Sequence, residues 1–362
     1  MRRAVLQALG PFAVLLWTAS GPSLAGEVEL SARLATEDVV TWEPILVRVT
    51  LTNRGEKPVR VVPPFVSSRY WPLRIMVETA GDLEPKEPRF MSDGDVWWRA
   101  LAEDVRSAPR PSWLLQPGQQ AGLWLDIGCF YAIRAAGRYR ITLEYDPRPD
   151  MVSDADQGTP GAALWIGRAE CEVGPLNVRE PTGADAAAAT AIARQRRPLS
   201  CWGPDGAQVR RDVAKHVRGT AYEPYVEFYD VWYAAQESVR GGPRGPHATE
   251  AQLIDAAGAL GEAHPEFPLV DRLSLVPLWT RIGGTRVAAR KEAERRARKD
   301  AAWAPTADEF EAEVSRLWVA AARDAWDDLE GAVGRLGDQG LVSEVAFLRF
   351  GEEPRAVPQP RP

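Results

Sequence analysis

From Glu27 onward apolar and polar residues alternate. Val28, Leu30, Ala32 and Leu34 fall on one side of an extended chain and Glu27, Glu29, Ser31 and Arg33 on the other, the period of two that a half-buried strand requires. Ile45, Val47, Val49 and Leu51 repeat the pattern, and Asn53-Arg54-Gly55-Glu56 then supplies turn chemistry before Val59 to Val62. Leu73, Ile75 and Val77 make another run. Gln116-Pro117-Gly118-Gln119 turns the chain into Leu123, Leu125 and Ile127, and Gly137 leads into Tyr139, Ile141, Leu143 and Tyr145. Leu164 to Ile166 and Cys171 to Val178 close the set. Short alternating strands separated by Gly and Pro turns predict a β-sandwich over residues 26–180.

At Arg179-Glu180-Pro181-Thr182-Gly183 the pattern changes. Pro and Gly mark a linker, and Ala184 to Arg197 is nearly all Ala, Arg and Gln, good helix formers without β-branched runs. Further helices are expected at about Ala207 to Val217, Pro224 to Val239, Thr249 to Ala263, Pro268 to Ile282, Arg286 to Lys299 and Thr306 to Leu336. An all-helical domain is therefore expected over 181–352, followed by a disordered Pro-rich tail, 353–362. Pro224 and Pro268, 44 residues apart, each read as the first residue of a helix, where the missing N–H of proline costs nothing.

The densest aromatic stretch is Tyr222, Tyr225, Phe228, Tyr229, Trp232 and Tyr233. On a helix these rings span an arc of about 140°, wider than the roughly 100° stripe that one buried face needs. At least one of Tyr225, Phe228 and Trp232 is thus expected to be exposed in a groove between hairpins and to bind a partner. The competing expectation is a plain core face. Trp97 and Trp98, in the proline-rich insertion Leu83 to Pro111, form a second candidate contact. Aromatic rings give large area for little lost rotamer freedom.

The N-terminus reads as a secretory leader: Arg2 and Arg3, an apolar stretch from Ala4 to Trp17, then Ser23-Leu24-Ala25. Cleavage before Gly26 is expected, giving a periplasmic or extracellular protein with no membrane insertion afterwards. Of 362 residues, 337 would remain, with 42 basic against 50 acidic side chains. A net charge of −8 argues against nucleic acid as a partner. Cys129, Cys171 and Cys201 are the cysteines, so one pair could bridge. A Cys129–Cys171 bond would tie two strands, whereas Cys171–Cys201 would staple the domains together; spacing leaves both open.

The segments Pro44 to Asn53, Leu115 to Gly118 and Ala136 to Ile141 together resemble the immunoglobulin-like modules of secreted bacterial proteins, such as the one ahead of the catalytic domain in deuterolysin-type metallopeptidases. The resemblance covers roughly residues 27–180. It implies a structural role for Tyr139 as a tyrosine corner, and Ile141 stands where antibody-type domains carry a core cysteine. Glu262 to Pro268, ahead of a helix expected to end at Gly283-Gly284, resembles the turns of tetratricopeptide-like α-hairpin arrays, although the period and residue pattern are incomplete.

A zinc hydrolase would need two imidazoles one helical turn apart. His216, His247 and His264 are the only histidines and none is near another in sequence, so the peptidase is not supported. The pairs in Ser92-Asp93-Gly94-Asp95 and Ser153-Asp154-Ala155-Asp156 lack the closing Glu of a calcium loop. Asp324, Asp327, Asp328 and Glu330 read as a solvated helix face, as does the basic stretch Arg286 to Lys299 with its local ion pairs. Cys201 with His216 has no more than composition behind it. No nucleophile elbow, phosphate loop or dinucleotide fingerprint is present, so no catalytic residue, metal or cofactor is assigned. The expected function is a non-enzymatic interaction or scaffold protein binding a protein or cell-surface partner. The alternative is an exported carbohydrate- or peptide-active enzyme, or a carbohydrate-binding protein, using carboxylates that sequence does not single out.

Overall fold

The computed structural model describes residues 27–62, 64, 72–79, 112–131, 133–147, 162–195, 199, 207–240, 249–299, 303, 305–337 and 341. The expected leader, Trp97, Trp98, both Asp-rich loops, Cys201, His247 and the Pro-rich tail lie outside them. The protein is mixed β plus α, with its strands first and its helices after.

Three sheets share one core. The first has the order β1 (Val28–Leu34), β3 (Leu46–Asn53), β7 (Gln120–Asp126), all antiparallel. Its register puts Leu30, Leu51 and Ala121 in one row and Ala32, Val49 and Leu123 in the next. The second has the order β2 (Asp38–Val40), β10 (Ala169–Arg179), β8 (Gly137–Tyr145), β5 (Leu73–Thr79), with β2 parallel to β10. Here Ile141 lies between Val173 and Val77, and Leu143 between Cys171 and Ile75. A one-residue slip would turn these rows to solvent, so burial fixes the register. A small third sheet has the order β6 (Trp113–Leu115), β4 (Val59–Val61), β9 (Ala163–Leu164).

Polar side chains tie the loops to this core. Asn53 is fully buried, donates its amide to the carbonyls of Lys57 and Leu115 at 2.8 and 2.9 Å, and accepts from the Gly55 N–H. The Tyr139 hydroxyl donates to the Ala135 carbonyl at 2.8 Å. Strands β2 and β6 escape a periodicity reading because three residues are too few to show a period.

Six α-helices follow among the described residues: α1 (Ala184–Ala193), α2 (Ala207–Val217), α3 (Glu223–Arg240), α4 (Glu250–Ala263), α5 (Val276–Lys299) and α6 (Ala307–Leu336). Thr249 with Gln252 and Thr306 with Glu309 form capping boxes at the starts of α4 and α6, and each satisfies two otherwise orphan N–H groups. Gly337 ends α6 in the left-handed conformation at φ 63°.

Two expectations are corrected. Pro268 opens no α-helix; the chain runs through a 3₁₀ segment, Val270–Leu275, and the helix starts at Val276. Nor does Gly283-Gly284 end a helix. Both glycines lie inside α5, because a Cβ on Gly283 would stand 2.6 Å from the Ser238 carbonyl oxygen of α3. Glycine there permits a close crossing of two helices. The basic stretch is also less local than expected. Arg290 pairs with Glu311 of α6 at 2.7 Å, and Arg296 pairs with Glu313. Arg286 donates to the Val239 carbonyl at 2.9 Å with its guanidinium over Trp318.

The helices pack around a second core, which takes in Val40 and Leu46 from the strands. Arg48 of β3 donates to the Gly337 carbonyl at the end of α6, 3.1 Å away. Among the described residues no helix is long and apolar enough to cross a membrane.

Candidate functional site

The expected aromatic groove is not there. Tyr225, Phe228 and Trp232 are 4%, 0% and 4% exposed, so these three rings are core and offer a partner no surface; of the stripe only Tyr233 is half-buried. Its width has a physical cause, since α3 is covered from two sides. Phe228 stacks on Trp232 at 5.8 Å, Trp232 meets Trp279 of α5 edge-on at 6.4 Å, and Trp279 meets Trp326 of α6 at 6.2 Å. On the other side, Tyr222 donates its hydroxyl to the Thr41 carbonyl at 2.6 Å. Two covered sides need a wider stripe than one.

That second cover is the turn between β2 and β3, residues Val40 to Ile45. The Glu43 N–H donates to the Val40 carbonyl at 2.9 Å, closing a four-residue turn. Trp42 takes its third position at φ 76°, where a type II turn calls for glycine. A bulky side chain there costs on the order of 1–3 kcal/mol and persists only when its surroundings over-determine it. They do so here. The Arg134 guanidinium lies 4.4 Å from the centre of the Trp42 ring, and the ring packs against the helical core. The Thr41 N–H and hydroxyl both donate to the Arg179 carbonyl, at 3.0 and 3.1 Å.

Glu43 is the chemical centre of this junction. Its Oε2 accepts from the Val40 N–H at 2.8 Å, and the Tyr225 hydroxyl donates to the same carboxyl group. Burial pushes its pKa from 4.5 up to about 7, against the opposing pull of the Val40 N–H, the Tyr225 hydroxyl and nearby Arg179, while Asp185 adds to the rise. Tyr225 is itself raised by burial and by the Glu43 charge. Asp126, at the end of β7, accepts from the Ile45 and Gly128 N–H groups at 3.0 and 2.8 Å and also acts on Tyr225 and Tyr229. A carboxyl group poised near neutrality beside a phenol can take or give a proton at physiological pH. Nothing in sequence singles it out. Glu43 stands between two apolar runs, Val39-Val40 and Ile45 to Val47, and shares its place before a proline with Glu84, Glu87, Glu180, Glu223 and Glu353.

The cysteines depart from both pairings considered. Cys129 is disulfide-bonded and Cys171 is a free thiol, raised to about 12 by burial and by Glu170. Alkylating the unfolded, unreduced protein should therefore label Cys171 and reach Cys129 only after reduction. Peptide mapping checks this, and a bridged Cys171 would refute it.

His216 and His264 sit on different helices, at the ends of α2 and α4. Among the described residues no group of three or more His, Cys, Asp and Glu side chains is placed to hold a metal ion. Neither a protein-family model nor a curated protein matches this chain.

Proposed function

We propose that this is an exported, non-enzymatic interaction or scaffold protein, built from an immunoglobulin-like sandwich followed by degenerate tetratricopeptide-like hairpins. The observation that carries the proposal is the junction. The aromatic side chains expected to grip a ligand instead brace α3, α5 and α6 against one another and against the Trp42 turn, giving one packed body that presents two kinds of surface. The Tyr139–Ala135 hydrogen bond supports the immunoglobulin-like assignment. Helices packed on their sequence neighbours support the hairpin assignment. A disulfide at Cys129 supports an oxidising compartment.

Partner contact is proposed for Trp97 and Trp98. A second reading, an exported hydrolase, is favoured by one observation, the carboxyl of Glu43 held near neutral pKa with Asp185 acting on it and Asp126 acting on its hydrogen-bond partner Tyr225.

One experiment separates the two. Purified mature protein is offered a panel of polysaccharides and peptides, and photo-crosslinkers at exposed Leu114, Ile166 and Val287 are activated in the native host. The expected result is no turnover, and a discrete adduct that weakens roughly thirtyfold in a Trp97→Ala, Trp98→Ala double variant, as loss of aromatic anchors would produce. Turnover abolished by Glu43→Gln would overturn the scaffold reading, and adducts indifferent to the tryptophans would remove them as the contact.

A further inference from the structure

The junction joins β2, β10, α1 and α3 through one strained turn and one half-buried carboxyl group whose oxygen is turned onto the Val40 N–H and the Tyr225 hydroxyl. Around Glu43 stand Tyr225 of α3, Arg179 of β10 and Asp185 of α1. Tyr222 of α3 responds to both Glu43 and Asp185, Asp126 of β7 reaches the junction through Tyr225, and Arg134 lies over the neighbouring Trp42 ring. Asp185 is anchored in turn by the Ala221 N–H at 3.1 Å. With one cation and one acidic group both facing it from β10 and α1, Glu43 has no dedicated ion-pair partner among the described residues to offset the loss of water on ionisation.

We propose that the Glu43 turn is a proton-operated latch between the strands and the helices: the neutral acid holds the Trp42 turn against α3, and the carboxylate loosens it. The latch has two further parts. Trp42 stores backbone strain that is released if the turn leaves α3, and the hydrogen bonds from Tyr222 to Thr41 and from Thr41 to Arg179 break with it. The sign follows from the raised pKa. The stabilisation from neutral Glu43 is complete below its ordinary 4.5 and is lost as pH rises through about 7. This inference stands apart from the identity of any partner.

The test is amide hydrogen exchange on the whole chain at about pH 5.5 and pH 8, corrected for intrinsic exchange rates. The reporters are the Val40 and Thr41 N–H groups, which bond to Glu43 and Arg179. Their protection should fall roughly thirtyfold between those pH values if the opened turn returns Glu43 to its ordinary pKa. Glu43→Gln should abolish the pH dependence. Tyr225→Phe should keep it but move its midpoint upward, because the phenol O–H favours the ionised form. Protection that is equal at both pH values, a pH dependence that survives Glu43→Gln, or a midpoint unmoved by Tyr225→Phe would each overturn the latch. The phenylalanine variant keeps the test decisive if the glutamine variant does not fold.

Discussion

Trp279→Ala should destabilise the protein by about 3–5 kcal/mol, the range for truncating a large aromatic side chain in a packed core. Trp279 is fully buried at the centre of the helical half, edge-on to Trp232 on one side and to Trp326 on the other. Its removal would open a cavity between three helices at once, and none of the three can close on it without leaving its other contacts. Trp279→Phe should cost distinctly less, about 1–2 kcal/mol. The indole Nε1 of Trp279 has no hydrogen-bond partner among the described residues, so a phenyl ring strands no polar group and loses only volume. Trp318→Phe provides the contrast. There the indole donates to the Ile282 carbonyl at 3.1 Å, and the same substitution also forfeits that bond. Urea denaturation of the three variants is the measurement, and equal losses for Trp279→Ala and Trp279→Phe would show that Trp279 is not the packing centre.

Gly283→Val should be comparably damaging, by roughly 3 kcal/mol or more, and Gly283→Ala should already destabilise by about 1–3 kcal/mol through overpacking. On an open helix surface the alanine change would instead stabilise by about 1 kcal/mol, since glycine is a poor helix former. The difference in sign comes from the 2.6 Å separation between a Cβ at this position and the backbone oxygen of Ser238. Backbone cannot rotate aside as a side chain can, so α3 and α5 would have to part. Gly334 of α6 is the internal control. Nothing lies within 4 Å of a Cβ there, and Gly334→Ala should stabilise by about 0.5–1 kcal/mol. Thermal melts of both alanine variants decide the matter; shifts of the same sign would contradict the close crossing.

The chain alone determines its local elements wherever the physics is local. Val28 to Leu34 and Tyr139 to Tyr145 alternate because a strand with one buried face has to, and the observed strands β1 and β8 follow them. Thr306 with Glu309 at one end and Gly337 at the other mark the limits of α6 because caps act within one turn. Other features depend on what a segment meets after folding. A run of six rings shows that α3 is amphipathic, yet only the Trp42 turn on one flank and Trp279 on the other bury five of the six, Tyr233 alone staying half-buried. Gly283 looks like a helix stop until Ser238 is found against it, because a glycine that ends a helix and one that admits a neighbour are the same residue. Which cysteine stays free depends on distances between strands and loops that spacing does not encode. Glu43 is the furthest from local prediction. One glutamate before one proline carries no signal, and its shifted pKa arises from desolvation at a junction whose facing residues Arg179, Asp185 and Tyr225 lie 136 or more residues away in the chain. Desolvation belongs to the assembled junction and to no single stretch of sequence.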